Sequence, residues 1–252
     1  MGLTRRAPFL RWSFVRLAWG SRNISKTGQI GDGREAAAAE YVLRESRRGD
    51  IDDVLATIDR FAYEQSFLIN VGDEKGLLLD AAVQRANPAV ALELGTYCGY
   101  SALRIARAAP AARVFSVELS AANADIARRI WAHAGVGDRL TCVVGTLGDG
   151  GTTLDTLGFA PGSLDFVFID HDKAAYLTDL QSILDRGWLH SGSIVVADNV
   201  KLPGAPKYRA YMKEHQGSLW ETVEHHTHAE YQTLLPDLVL ESRYRGAAAE
   251  DR

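Results

Sequence analysis

Two acidic motifs at the ends of apolar runs, Val167-Phe168-Ile169-Asp170-His171-Asp172-Lys173 and Val195-Val196-Ala197-Asp198-Asn199, carry the most legible chemistry of the chain. A β-branched and aromatic run needs both faces covered, so each reads as an interior strand of a parallel sheet. An acid at its carboxyl end then opens onto the crevice where such sheets bind ligands. Asp170, Asp198 and Asn199 offer three oxygen ligands at the ends of neighbouring strands, a donor set that suits a hard divalent cation. A metal there would be catalytic rather than structural. Taken singly the motifs are ambiguous: Asp198-Asn199 also fits an ordinary turn after a strand, and Lys173 fits a solvated lysine at a helix start.

A third motif, Glu93-Leu94-Gly95-Thr96-Tyr97-Cys98-Gly99-Tyr100-Ser101, closes an earlier strand and opens a helix. Gly95 and Gly99 would let a ligand approach the backbone closely. Their spacing is not the G-x-G-x-x-G of a dinucleotide fold, and the acid ahead of them counts against a pyrophosphate, which removes a nicotinamide dehydrogenase. Glu118 ends the next strand about 20 residues onward, where carboxylates grip ribose hydroxyls. Elsewhere Asp73 fits a plain helix cap and Glu230 a solvated loop acid. His225, His226 and His228 lie on an edge segment without Cys or acidic partners at ligand spacing, so a surface cluster is expected.

Periodicity supplies the frame for these motifs. Helical patterns run over 34–46, 50–67 and 73–86, with Asp50 as a cap. From residue 89 short apolar runs at 90–94, 113–118, 140–144, 164–169 and 193–198 alternate with helical segments at 100–108, 120–134, 149–156 and 174–186. Such alternation predicts a Rossmann-like, doubly wound α/β fold with a mostly parallel sheet. Segments 219–225 and 233–244 are strand-like and joined by a connection too short for a crossover helix. They predict an antiparallel edge hairpin that brings the sheet to seven strands.

The 252 residues, 46% hydrophobic and 24% charged, suffice for one substantial core. A net charge of −4 gives no basic footprint for nucleic acid. Cys98 and Cys142 fall in different elements and suggest neither a disulfide scaffold nor a metal pair, so a reducing, cytoplasmic setting is expected. Residues 1–33 read as an arginine- and aromatic-rich extension followed by a Gly-rich linker from residue 21, residues 34–246 as one domain, and 247–252 as a disordered tail. The apolar side chains of the extension spread around a helical wheel. It therefore lacks the clean face of a membrane-surface helix, and no apolar run reaches spanning length. A monomer or a homodimer is expected.

In order and spacing, Asn70-Val71-Gly72-Asp73, Glu93 through Ser101, Phe168-Ile169-Asp170-His171 with Lys173, and Ala197-Asp198-Asn199-Val200 with Pro203-Gly204 resemble the catechol O-methyltransferase family over roughly residues 33–244. Those enzymes are magnesium-dependent and use S-adenosylmethionine. The resemblance implies Asp170, Asp198 and Asn199 as metal ligands and Lys173 as general base. It implies Asn199, Glu230, Pro203, Lys173 and the adjoining Asp172 around a catechol-like small-molecule substrate. For the cofactor it implies Val71, Glu93, Tyr97 and Ser101 around the methionine portion, Glu118 on the ribose diol, and Gly145 near the adenine, with Asp170 and His171 lining the same pocket. A lysine serves as base only when neutral, so desolvation and the metal would have to lower it from its ordinary value of about 10.4.

The chain departs from the family pattern at three places. Asp172 and Phe67 stand where tryptophans are usual, which widens the slot and makes it more polar. Leu147-Gly148 replaces a small polar pair beside the adenine. These changes lean towards the caffeoyl-coenzyme-A-type cation-dependent O-methyltransferases, whereas His171 and Pro203-Gly204 favour the catechol branch. The extra acid favours amine-bearing or neutral catechols over carboxylated ones. A non-catalytic S-adenosylmethionine-binding module is the alternative of a different class, and the presence of every polar catalytic residue argues against it.

Overall fold

The computed structural model describes residue 23 and residues 27–246; the arginine-rich stretch 1–22 and the tail 247–252 lie outside the described residues. Three helices lead, α1 (Arg34–Glu45), α2 (Ile51–Glu64) and α3 (Gly72–Ala86). Strands and helices then alternate: β1 (Val90–Leu94), α4 (Tyr100–Ala108), β2 (Arg113–Glu118), α5 (Ala121–His133), β3 (Leu140–Val144), α6 (Thr152–Asp155), β4 (Leu164–Ile169), α7 (Tyr176–Asp185) and β5 (Leu189–Ala197). A π-helical turn (Val200–Gly204), α8 (Pro206–Glu214) and the hairpin β6 (Trp220–His228) and β7 (Pro236–Tyr244) close the chain.

The seven strands stand in the order β3-β2-β1-β4-β5-β7-β6. β1 to β5 pair in parallel, β7 pairs antiparallel with β5, and β6 antiparallel with β7. This is the doubly wound sheet with an edge hairpin that the patterning predicts. Strand periodicity sorts the core into two layers. Ala91, Phe166, Phe168, Ile194 and Val196 face one cluster with α1 to α5, while Leu92, Leu94, Val167, Ile169, Val195 and Ala197 face another with α7 and α8. Full burial of each large side chain contributes on the order of 1.5–3 kcal/mol, so the two layers hold the strand ends in fixed register.

Several expectations are corrected in detail. The helix expected over 149–156 contracts to α6, because Gly148, Gly150 and Gly151 all take positive φ and Asp149 folds its carboxylate onto the Gly151 and Thr153 N–H groups. α8 was not expected; Pro206 in its first turn is the start signal. The strand expected over 219–225 runs on to His228, so His226 and His228 leave the expected connection and join His225 in pairing with β7, as His225↔Val239, His226↔Leu238 and His228↔Pro236. His225 meets Glu241 at 2.9 Å and His228 meets Glu74 at 3.1 Å, so each has a structural partner. The end of the expected linker is packed: Ile30 is buried and its N–H donates to Glu35, while the Gly28 carbonyl accepts from Asn123.

The two glycines expected to admit a ligand are filled by protein. Gly95 has φ +103°, and a Cβ there would run into the Asp170 carbonyl. Gly99 has φ +81°; a Cβ would strike the Trp131 indole nitrogen, which donates to the Gly99 carbonyl at 2.9 Å. Gly99→Ala combines a left-handed backbone penalty of about 1–2 kcal/mol with overpacking of about 1–3 kcal/mol. The expected loss is therefore at least about 2 kcal/mol in urea unfolding. A loss below about 1 kcal/mol would mean that Trp131 is free to move aside.

Candidate active site

Backbone hydrogen bonding aligns the carboxyl ends of the central strands. Gly95 N–H donates to Val117 O, Asp170 N–H to Leu94 O, Asp198 N–H to Ile169 O and Gly145 N–H to Glu118 O, at 2.9–3.1 Å. Each ladder thus runs one residue past its strand, and Glu118, Gly95, Asp170 and Asp198 form a row along one edge of the sheet. Strand order reverses between β1 and β4, the place where open α/β sheets bind ligands.

On the β4–β5 side, Lys173 Nζ donates to Asp170 Oδ1 at 2.8 Å and to the Tyr176 hydroxyl, which itself donates to the Asp198 carbonyl at 3.0 Å. Tyr176 is fully buried in the first turn of α7 and was not singled out from the sequence. Asn199 takes a left-handed backbone, φ +53°, and its Nδ2 donates to Glu230 Oε1 at 2.7 Å and Asp237 Oδ2 at 2.9 Å. Its Oδ1 is thereby left as the atom available to a ligand. Pro203 is exposed on the π-helical turn, and Asp172 is exposed with its carboxylate on the Ala174 N–H.

Two further residues escaped the sequence reading. Lys75, only 1% exposed, forms ion pairs with Asp198 at 2.8 Å, Asp237 at 3.2 Å and Glu230. Asp237, equally buried, also accepts from the Leu202 N–H at 3.0 Å. The available signal was position: Lys75, Leu79, Ala82 and Val83 repeat at helical spacing, which puts a lysine on the apolar stripe of α3. Burial alone would lower the Lys75 ammonium, but Asp198, Glu230 and Asp237 outweigh it and hold it above the usual lysine range. For Asp198, burial raises the carboxyl and Lys75 lowers it. Asp170 and Glu230 raise it further, Lys173 lowers it, and the net result is about 7.

These oxygens fit a divalent cation. Asp198 Oδ2 is buried and makes no aligned hydrogen bond beyond its ion pair with Lys75, an exception among buried polar atoms. Four acidic side chains, Asp170, Asp198, Glu230 and Asp237, meet two lysines, Lys75 and Lys173, so acids outnumber bases where a divalent ion would offset the excess. Among the described residues no three His, Cys, Asp or Glu side chains form a ready metal cage; the candidate set is two carboxylates and one amide oxygen.

The β1–β2 side gathers the expected cofactor residues. Glu118 accepts from the N–H groups of Thr96, Tyr97 and Ser120 and from Asn123, while Tyr97 donates its hydroxyl to Glu35. Glu93 is fully buried and accepts from Ser116 Oγ; its Oε1 makes no aligned hydrogen bond, although the nearby Ser101 hydroxyl offsets part of the burial. His171 binds Asp179 at 2.8 Å, which also accepts from the Gly148 N–H, and its Nδ1 has no partner among the described residues. Val71 is buried where α3 begins, next to Gly72, where an added Cβ would meet the Glu230 backbone at 3.6 Å. The structure therefore brings the residues expected for metal, base and substrate together with Lys75 and Asp237, and leaves Asp172 exposed.

A family model described as O-methyltransferase matches residues 45–215. A protein of Mycobacterium tuberculosis named "Probable O-methyltransferase" is 76% identical over 91% of this chain and 100% of its own length. Catechol O-methyltransferase B of Danio rerio is 39% identical over 75% of this chain and 71% of its own. Among solved structures, an O-methyltransferase from Bacillus cereus in complex with SAH superposes with a TM-score of 0.61 at 21% identity, covering 92% of this chain and 100% of that one.

Burial keeps the Glu93 proton on in the fold up to a pH of about 8, offset in part by Ser101 and Ser116, whereas an unfolded glutamate ionises near 4.5. The folded protein thus holds more protons across that interval, so its stability falls as pH rises from about 4.5 to about 8. Asp198, raised to about 7, and Asp59, raised to about 6 mainly by burial, act in the same direction. Thermal unfolding of the metal-free protein is expected to show a falling Tm over this range and a shallower fall for Glu93→Gln; equal slopes for the two proteins would refute the assignment.

Proposed function

Given that the chain belongs to the O-methyltransferase family of S-adenosylmethionine-dependent enzymes, we propose that it methylates one hydroxyl of a catechol-type small molecule, with magnesium at Asp170, Asp198 and Asn199 and with Lys173 as general base. The observation that carries this reading is the convergence of a paired lysine, two acids and an oriented amide at the ends of β4 and β5. A magnesium ion held there would chelate two adjacent oxygens of the acceptor and acidify the hydroxyl bound to it.

The chain's own residues do the rest. Lys173 Nζ, fixed by Asp170 and Tyr176, takes the proton of the hydroxyl that receives the methyl group. Glu230, on the same side as Asn199, accepts from the second hydroxyl. Glu118 holds the ribose diol of the donor, Glu93 and Ser101 face its methionine end, and Val71 and Tyr97 enclose it. His171, braced by Asp179, and Gly145 flank the adenine. The catechol O-methyltransferase relatives support this acceptor class over a caffeoyl-coenzyme-A-type phenolic. Asp172, exposed and anionic, disfavours carboxylated catechols.

Methyl transfer from labelled S-adenosylmethionine to catechols and single-hydroxyl phenols, with magnesium or chelator, tests the reading. Catechol-only, chelator-sensitive transfer is expected, with kcat lowered about 10²- to 10⁴-fold in Lys173→Ala. Turnover of lone phenols, or transfer indifferent to chelator, would overturn the acceptor class and the metal respectively. Dopamine should be preferred to dihydroxybenzoate, less so in Asp172→Asn; an unchanged ratio would remove Asp172 from substrate selection.

A further inference from the structure

Lys75 has no part in the chemistry proposed above, yet it is the most buried cation beside the site. Its ammonium and the Asn199 side-chain amide donate to the same two acceptors, Glu230 Oε1 and Asp237 Oδ2. Asp237 Oδ1 meanwhile accepts from Leu202 N–H, which ties the clamp to the turn that carries Pro203. A primary amide has two distinguishable ends. With Nδ2 committed to two carboxylates, Asn199 is fixed with Oδ1 turned away from them. Lys75 holds those carboxylates in place by ion pairs, and its third ion pair, to Asp198, reaches the other strand-end ligand.

We propose that Lys75 is a positioning residue of the metal centre: its buried ammonium locks Asp237 and Glu230 onto the Asn199 amide and braces Asp198, so that Asn199 Oδ1 and the Asp198 carboxylate point together at the cation. The inference rests on the metal reading proposed above. It has a consequence opposite in sign to simple electrostatics. An ammonium acting only through its charge repels a divalent ion, and removing it would tighten metal binding. An ammonium that orients ligands does the reverse, because outer-shell partners of metal ligands typically contribute 10- to 100-fold in affinity.

Manganese suits the same oxygen donors and is paramagnetic, so its binding to the full chain can be read without turnover from the loss of the free-ion resonance signal. Wild type, Lys75→Met, Lys75→Gln and Asp198→Asn would be titrated, with circular dichroism and calorimetric S-adenosylmethionine binding as checks of fold. The expected result is binding by wild type, strong loss in Asp198→Asn, and a roughly 10- to 100-fold weaker Kd in Lys75→Met. Lys75→Gln, which keeps a donor, should fall between. Unchanged or tighter binding in both folded Lys75 variants would overturn the positioning role while leaving the metal centre standing. Loss of fold in both would also reject it, making Lys75 a structural strut. No manganese uptake by wild type, or uptake indifferent to Asp198→Asn, would remove the metal centre and this role with it.

Discussion

The site depends on the hydrogen-bond ladder continuing one residue beyond β1, β4 and β5. The Asp170 N–H is held by Leu94 O and the Asp198 N–H by Ile169 O, so two residues 28 positions apart in sequence end side by side in space. Register decides this. A one-residue slip of β5 against β4 would turn Val195 and Val196 to the wrong layers and carry Asp198 away from Asp170. The apolar alternation that builds the two core layers therefore also sets the geometry of the polar end. Gly95 allows the arrangement, since the Asp170 carbonyl occupies the space a side chain would need.

Crowding acids at a buried strand end has a cost, and the way it is met differs across the crevice. At β4–β5 the acids are countered by Lys75 and Lys173, and the surplus of negative charge is what a divalent ion would balance. At β1–β2, Glu93 has hydroxyl neighbours but no paired cation among the described residues, and burial pushes its proton on. Glu118 is eased instead by three backbone N–H groups and Asn123. A buried carboxyl with hydroxyl neighbours at β1 and a lysine-paired cluster at β4–β5 are distinct environments within one row of residues.

Much of this was legible in the sequence. The β-branched runs fixed the strands because burial on both faces requires such residues, and the acids at their ends marked the crevice. Lys75 and Asp237 were not legible in the same way. A lysine in Gly72-Asp73-Glu74-Lys75-Gly76 looks solvated until Leu79, Ala82 and Val83 show that it shares their face of α3. Asp237 follows Pro236 in a strand-like edge segment where either face could meet solvent, and only the structure, in which it pairs with Thr227 of β6, reveals that it is buried. Buried charges look like surface charges in a sequence, because the carboxylates that pair with Lys75 lie more than 100 residues away from it. The helical span over 149–156 failed for a local reason, as three positive-φ glycines outweigh the apolar spacing.

The glycines of the β1–α4 loop carry a further lesson about close approach. Gly95 and Gly99 suggest a ligand pressed against the backbone, yet the atoms that exclude a Cβ belong to Asp170 and Trp131. Their lack of a side chain serves the ligand indirectly. It lets β4 draw close enough for Asp170 to reach the crevice, and lets α5 seat Trp131 under the start of α4, where the indole hydrogen bond to Gly99 O anchors the loop. With the loop anchored, the Thr96 and Tyr97 N–H groups point at Glu118 rather than outward to a phosphate. A loop whose amide donors are committed to a carboxylate has few left for a pyrophosphate, so in physical terms the same strand-turn-helix that binds dinucleotides elsewhere is set here for a donor without phosphates.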